Sequence, residues 1–258
     1  MEEGRFTDCI DMRKLNGYVA KRLDSPSLLS CGQQCQRNTW CTSTNFKFSF
    51  KGKEEGTCEL NKHDMSTVNE TNNFSDDQQT TFSLLLKRTF HYDDDLWSNK
   101  KTFNLEGGKT GLDSNETKLP TYWNTPFTRI CLGMKIGEED SFIAIDKPAS
   151  SLYSLIADGK YRATSLGRNS WKRLIGSRAS LQRNCNKEGF NVVCTRASHS
   201  KARIGYIGNQ ESNCGSCDSR IGFGTGGNPD DSNTCGNQAR HNPDNSKRHI
   251  TAMGYISV

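Results

Sequence analysis

The chain has 258 residues, of which 33% are hydrophobic and 24% charged, and a formal net charge of +5. That length leaves room for two compact domains, or for one with a long appendage, and a mean hydropathy of −0.77 excludes a large apolar interior in either. No run approaches the length needed to span a bilayer, and a positive net charge excludes an acidic mineral-templating chain of the Asp-rich type.

Met1-Glu2-Glu3-Gly4-Arg5 is charged and no apolar h-region follows it, so no secretory signal is visible. Five cysteines then fall within the first sixty residues: Cys9, Cys31, Cys35, Cys41 and Cys58. Cys31 and Cys35 lie four apart in a segment that reads as helix, with Asp24 or Ser25 as N-cap and Pro26 at the first helical position, and therefore share one face. Cys41 follows beyond a break, and Cys58 sits in the strand-like run from Gly56 to Leu60. Two bridges, Cys31 to Cys58 and Cys35 to Cys41, would pin helix to sheet. Chain-entropy arithmetic gives them about 3.5 and about 2.4 kcal/mol, large beside the roughly 5 to 15 kcal/mol net stability of a domain.

This C-x3-C-x5-C-x16-C-x-L arrangement behind an upstream Cys closely resembles the PAN/apple module of secreted proteins over roughly residues 6–90. The resemblance implies an α+β fold in which a helix packs on a small, disulfide-stapled antiparallel sheet. Apple modules usually add a bridge from the first Cys to one near the last strand. Here that strand, residues 80–88, contains no Cys, which leaves the partner of Cys9 open. Three acceptor sequons, at Asn69, Asn73 and Asn115, lie in polar stretches that read as exposed loops. With eleven cysteines they point to an oxidising, extracellular setting, and to a leader missing from this chain.

Residues 91–121 read as a linker, with Asp93, Asp94 and Asp95, a Gly107-Gly108 pair and Pro120, although Leu96, Trp97, Phe103 and Leu105 could pack on a neighbour. A second, β-rich and disulfide-containing domain is expected over residues 122–258. Its strands are expected at 128–134, 142–145, 189–194, 202–207, 220–224 and 250–258, while 150–156 and 170–175 have apolar spacings compatible with one or two short helices, the first equally with a strand. Positive charge concentrates in this half. From Lys160 to Arg183 run Lys160, Arg162, Arg168, Lys172, Arg173, Arg178 and Arg183 with no acidic residue, interleaved with Tyr161 and Trp171. Such a stripe can track a polyanion, above all a sulfated glycan, or can be a solvated cationic face.

Cys214-Gly-Ser-Cys217 admits three readings: a redox pair, a Cys3His zinc knuckle completed by Cys235 and His241, or ordinary disulfides. Gly- and Asn-rich surroundings favour the last. Six cysteines allow fifteen pairings, of which Cys185–Cys194, flanking an apparent hairpin, and Cys214–Cys235 are expected. Cys131 stands on a strand. The odd total leaves one thiol over, Cys9 or Cys217, free or paired between chains. No catalytic signature accompanies the five histidines, and Gly222-Phe-Gly-Thr-Gly-Gly lacks the Lys-Ser/Thr of a phosphate loop. No catalytic residue, metal, cofactor or nucleic-acid partner is expected.

The order of motifs in the C-terminal half, ending in Gly254-Tyr-Ile-Ser-Val, resembles the domain that follows an apple module in cnidarian extracellular proteins. The whole chain resembles the skeletal organic matrix proteins of stony corals. The resemblance implies a secreted, non-enzymatic component of a calcified extracellular matrix that binds glycans or other matrix proteins. Two alternatives remain: a lectin-like protein recognising sugar through the loops 209–218 and 224–231, and a metal-dependent hydrolase using the Cys/His cluster.

Overall fold

Short runs of β-formers separated by Gly, Asn and Asp turns favour antiparallel neighbours, and every strand pairing among the described residues is antiparallel. The computed structural model describes residues 14–15, 19–25, 30–31, 34–35, 37–41, 43–48, 56–62, 74–75, 82–86, 88–105 and 115–258. In the N-terminal part, β1 (Lys14–Leu15) pairs with β5 (Phe74–Ser75), and β2 (Val19–Ser25), β3 (Ser43–Phe48) and β4 (Gly56–Asn61) form a sheet in the order β2-β4-β3. Asp24 and Ser25, expected at the helix entry, pair with Thr57 and Gly56 as the end of β2. Ser30, Cys31, Gln34 and Cys35 are helical, and the amide of Asn38 donates to the Cys35 carbonyl at 2.9 Å.

Sulfur does much of the packing here. Cys31 is bridged to Cys58 and Cys35 to Cys41. The buried cluster consists of these Cys31, Cys35 and Cys58 side chains with Leu60, and Leu23 and Trp40 lie against it. Across β2 and β4, Arg22 stands opposite Glu59 and donates to its carboxylate at 2.7 Å.

The remaining strands build two sheets. One contains β6 (Phe82–Leu86), β7 (Thr117–Lys118), β8 (Phe127–Ile136), β9 (Glu139–Ala149) and β16 (Met253–Ser257), in the order β7-β6-β16-β8-β9. The other is a meander of β10 (Arg162–Ala163), β11 (Asn184–Val193), β12 (Lys201–Asn209), β13 (Ser219–Gly226), β14 (Cys235–Ala239) and β15 (Arg248–Thr251) in sequence order. A single apolar cluster takes side chains from both: Leu84, Ile130, Leu132, Ile143 and Ile256 from the first, Phe190, Ile204, Ile221 and Phe223 from the second. The helices Leu152–Ile156 and Arg168–Arg173 add Leu152, Ile156 and Trp171 to it. Ser151 caps the first of these, accepting from the Ser154 amide at 3.2 Å.

Residues 91–121, expected as a linker, place Trp97, Thr117, Lys118 and Leu119 among the buried residues, while Leu105 is exposed. Trp97 is fully buried and meets Phe90 edge-on at 5.7 Å, and its indole donates to the His91 carbonyl. The Lys118 ammonium donates to the Leu96 and Asn99 carbonyls and lies 4.8 Å from the Tyr122 ring centre. Burial pushes its pKa down to about 8 against the pull of Asp95 and Asp94.

Two expectations about strands need correction. The run 250–258 is not one strand: it breaks at Ala252, whose amide donates to the Cys235 carbonyl, so that β15 and β16 enter different sheets. β14 lay unseen in the sequence because Cys235, Gly236, Asn237 and Gln238 carry no β-branched signal, yet all five of its residues are buried. Its neighbours approach closely. Gly205 and Gly222 face each other across β12 and β13, and a Cβ on Gly222 would stand 2.5 Å from the Ile204 carbonyl oxygen. Gly222→Ala is therefore expected to lower unfolding free energy by about 1–3 kcal/mol, measured by denaturant titration.

Candidate functional site

The basic stripe begins on the loop before β10 and continues through the helix Arg168–Arg173, and its members have different employments. Arg162 is spent on Asp158, donating to both carboxylate oxygens at 2.7 and 2.9 Å, and on the Leu155 carbonyl. Arg168 donates to the Gln182 and Leu181 carbonyls and, at 2.8 Å, to Asp244, which also holds Lys172 at 2.8 Å. Partial burial pushes the Asp244 carboxyl up, but hydrogen bonds from Lys172, Arg168 and the Leu181 amide outweigh it and hold its pKa down at about 2. Lys160, Arg173, Arg178 and Arg183 are exposed. The chain therefore does not bring its seven cations together as one free surface, because three of them brace the fold.

Sequence reasoning missed the acid that organises this region, since a single Glu in a mixed strand carries no motif. Glu188 on β11 is buried and accepts from Thr164 Oγ1, the Leu166 and Gly167 amides and Trp171 Nε1 at 2.8, 3.1, 2.8 and 2.8 Å. It gathers the chain entering the helix onto β11. The Trp171 indole is fully buried, and burial would otherwise leave its N–H unpaired.

The loop 224–231 is similarly held from within. Arg220 of β13 is fully buried, and its guanidinium donates to the carbonyls of Gly227 at 2.8 Å, Asn233 at 3.3 Å and, more closely, Asp230. Burial pushes its pKa down to about 10, with Asp231 and Asp230 opposing. Above it, His91 Nε2 meets Asp231 Oδ1 at 2.9 Å, and Lys201 meets Asp93 Oδ2 at 2.5 Å. Tyr92 lies beneath both Lys201 and Arg203, at 5.0 and 4.4 Å from its ring centre. Asp93 is thus held by Lys201 and Asp231 by His91, and among the described residues no three His, Cys, Asp or Glu side chains converge as metal ligands.

The cysteines of the C-terminal half pair differently from expectation. Cys185 is bridged to Cys214, which rules out both Cys185–Cys194 and Cys214–Cys235. Residues 184–193 form one strand, not a hairpin, so no turn brings Cys185 and Cys194 together. Cys235 faces the core between the sheets, its sulfur 2.6 Å from where a Cβ on Gly254 would stand, whereas Cys214 packs in a separate small cluster with Cys194, Cys217, Val192 and Ile207. The zinc-knuckle set is dispersed for the same reason, and His241 is exposed. Cys131 is disulfide-bonded, and Cys194, Cys217 and Cys235 are buried without a bridge. Burial pushes the Cys235 thiol up, out of reach of ready ionisation. Cys217 and Cys235 are buried too deeply to meet a second chain in the folded protein, while Cys9 lies outside the described residues. Asn115 is exposed, and Asn69 and Asn73 lie outside the described residues.

Comparison with known families places one part of the chain. Residues 8–86 are a PAN domain. PAN domains are extracellular modules that bind proteins or carbohydrates. No curated protein and no solved structure matches the chain. The PAN match ends with β6, the strand that enters the five-stranded sheet beside β16. No helix among the described residues is long and apolar enough to cross a membrane.

Two substitutions test this internal wiring. Glu188→Gln keeps the shape but turns an acceptor into a donor facing donors, and is expected to cost about 1.5–3 kcal/mol by denaturant titration. Asp244 has a folded pKa below its unfolded value of roughly 3.9, so its contribution is complete above that pH and is lost as pH falls toward about 2. Asp244→Asn is expected to lower the denaturation midpoint at pH 6 and to flatten its fall between pH 4 and pH 2.

Proposed function

We propose that this protein is a secreted, non-enzymatic component of a calcified skeletal organic matrix, binding glycans or other matrix proteins. The PAN domain at residues 8–86 carries this reading, because such domains are extracellular recognition modules for protein and carbohydrate. Its two cystines support an oxidising destination. The exposed sequon at Asn115 is consistent with a glycoprotein. The matrix location rests on the resemblance to stony-coral skeletal proteins. The Cys214–Cys185 bridge takes Cys214 out of the cysteine and histidine cluster on which the hydrolase alternative rested.

Sulfated glycan is the ligand class that suits the exposed cations Lys160, Arg173, Arg178 and Arg183. The full chain is expected to be retained on immobilised heparin, with Arg173→Gln, Arg178→Gln and Arg183→Gln together lowering the salt needed for elution. Arg168→Gln is a poor probe, since it unseats Asp244 as well. Retention unaltered by the triple substitution would move the binding surface to the PAN domain or to a protein ligand. An absence of binding to heparin, to a glycan array and to extracted matrix proteins would defeat the proposal.

A further inference from the structure

Cys194 follows β11 and Cys217 precedes β13, and their exposures are 3% and 0%. Their sulfur atoms stand 2.7 Å apart. Even carbon atoms, which are smaller, make their best non-bonded contact at roughly 3.5–4.0 Å. A disulfide bond needs about 2.05 Å, so the pair stands between contact distance and bonding distance.

The backbone fixes this approach independently of the sulfurs. The Thr195 and Arg196 amides donate to the Cys214 and Gly215 carbonyls at 2.8 and 3.1 Å, and the Ser200 amide donates to the Cys217 carbonyl at 3.1 Å. The segment after β11 and the segment before β13 are therefore laced together on either side of the pair. Cys185–Cys214 already joins the same stretch of chain. Val192, Ala202 and Ile207 close the pocket with apolar surface, and the Cys217 amide donates to the Cys194 sulfur at 2.9 Å, which holds the two residues in register.

We propose that Cys194 and Cys217 form a disulfide, a second rung beside Cys185–Cys214, buried beneath the loop 210–216. Its formation breaks two S–H bonds and makes one S–S bond. The two electrons and two protons pass by exchange, through a mixed disulfide, to a small-molecule or enzyme disulfide that leaves as two thiols. The two rungs then differ in access: Cys185 and Cys214 are half-buried and open to an attacking thiolate, while Cys194 and Cys217 are shielded from it. The cysteines of Cys214-Gly-Ser-Cys217 thus serve two separate cross-links instead of one redox pair, leaving Cys235 as a buried free thiol.

This inference rests on geometry alone and stands apart from the ligand. The test is peptide mapping of full-length protein secreted from an oxidising host, alkylated in denaturant without reductant and digested with trypsin. Peptides 184–187, 188–196 and 204–220 are expected as one disulfide-joined species, with Cys235 alkylated. In Cys185→Ala/Cys214→Ala protein, 188–196 should remain joined to 204–220, which then contain only Cys194 and Cys217. Recovery of 188–196 with Cys194 alkylated, from wild-type protein in which 184–187 is still joined to 204–220, overturns the proposal. In native wild-type protein, limited treatment with a water-soluble dithiol is expected to expose Cys185 and Cys214 to alkylation before Cys194 and Cys217. The reverse order would overturn the assignment of the buried rung.

Discussion

The pairing of Phe82–Leu86 with Met253–Ser257 is the contact on which the arrangement of this chain depends. It sets the last strand of the PAN domain beside the last strand of the chain, and β8 pairs with the other edge of that terminal strand. β16 is thus the middle of its sheet, with all five residues buried. Sequence-distant pairing of this kind must overcome a large loop-closure entropy before it returns any stabilisation. Once formed, it denies β6 and β8 the open edges that would otherwise invite strand addition from another chain. The PAN domain is thereby tied to the C-terminal half by backbone hydrogen bonds as well as by a covalent connection.

A chain with 33% hydrophobic residues cannot fill two interiors with apolar side chains alone, and the two parts answer that shortage differently. Around β2, β3 and β4 the buried cluster is largely cystine. In the C-terminal half, one apolar cluster between the sheets is supplemented by buried polar residues that bond to groups within the fold. Glu188 collects four donors, Arg220 serves carbonyls of the 227–233 loop, and the Asn237 side chain bonds to the Ser180 amide and to the Ser180 and Arg220 carbonyls. Buried polar groups satisfied in this way order loops that apolar contact alone would leave loose, while the loss of any one partner exposes the rest to the full desolvation cost.

Where a physical signal is local, the sequence carried it. Cysteines spaced C-x3-C-x5-C-x16-C and strands of β-formers between turn residues appear at about their expected places. Signals that depend on the partner were not legible. Residues 91–121 read as linker because three aspartates and Gly107-Gly108 dominate their composition, yet Trp97 and Lys118 are fully buried. β14 reads as turn because Gly236 and Asn237 are turn residues in isolation, and only the closeness of β13 and β15 makes small and amide side chains suitable there. The C-terminal disulfide could not be chosen from fifteen pairings, since Cys185 and Cys214 meet through the return of a loop that follows β12, not through any regular spacing.

The basic stripe illustrates how charge density in sequence and charge available at a surface diverge. Arg168 and Lys172 share Asp244, which lies more than seventy positions away, and Arg162 is clamped by Asp158 just before the stripe begins. A guanidinium held by carbonyl and carboxylate partners in this way would have to give up those bonds to engage a sulfate group, so it contributes little net affinity. Lys160, Arg173, Arg178 and Arg183 face solvent and are not so encumbered. Their spacing along the chain, on the loop before β10, a helix end, a 3-10 turn and the entry to β11, gives a dispersed field more than a dedicated pocket. A dispersed field suits a flexible polyanion whose charges can reposition along it, and it makes the interaction sensitive to salt. Such a field responds to the density of charge more than to its arrangement, so by itself it distinguishes one polyanion from another poorly.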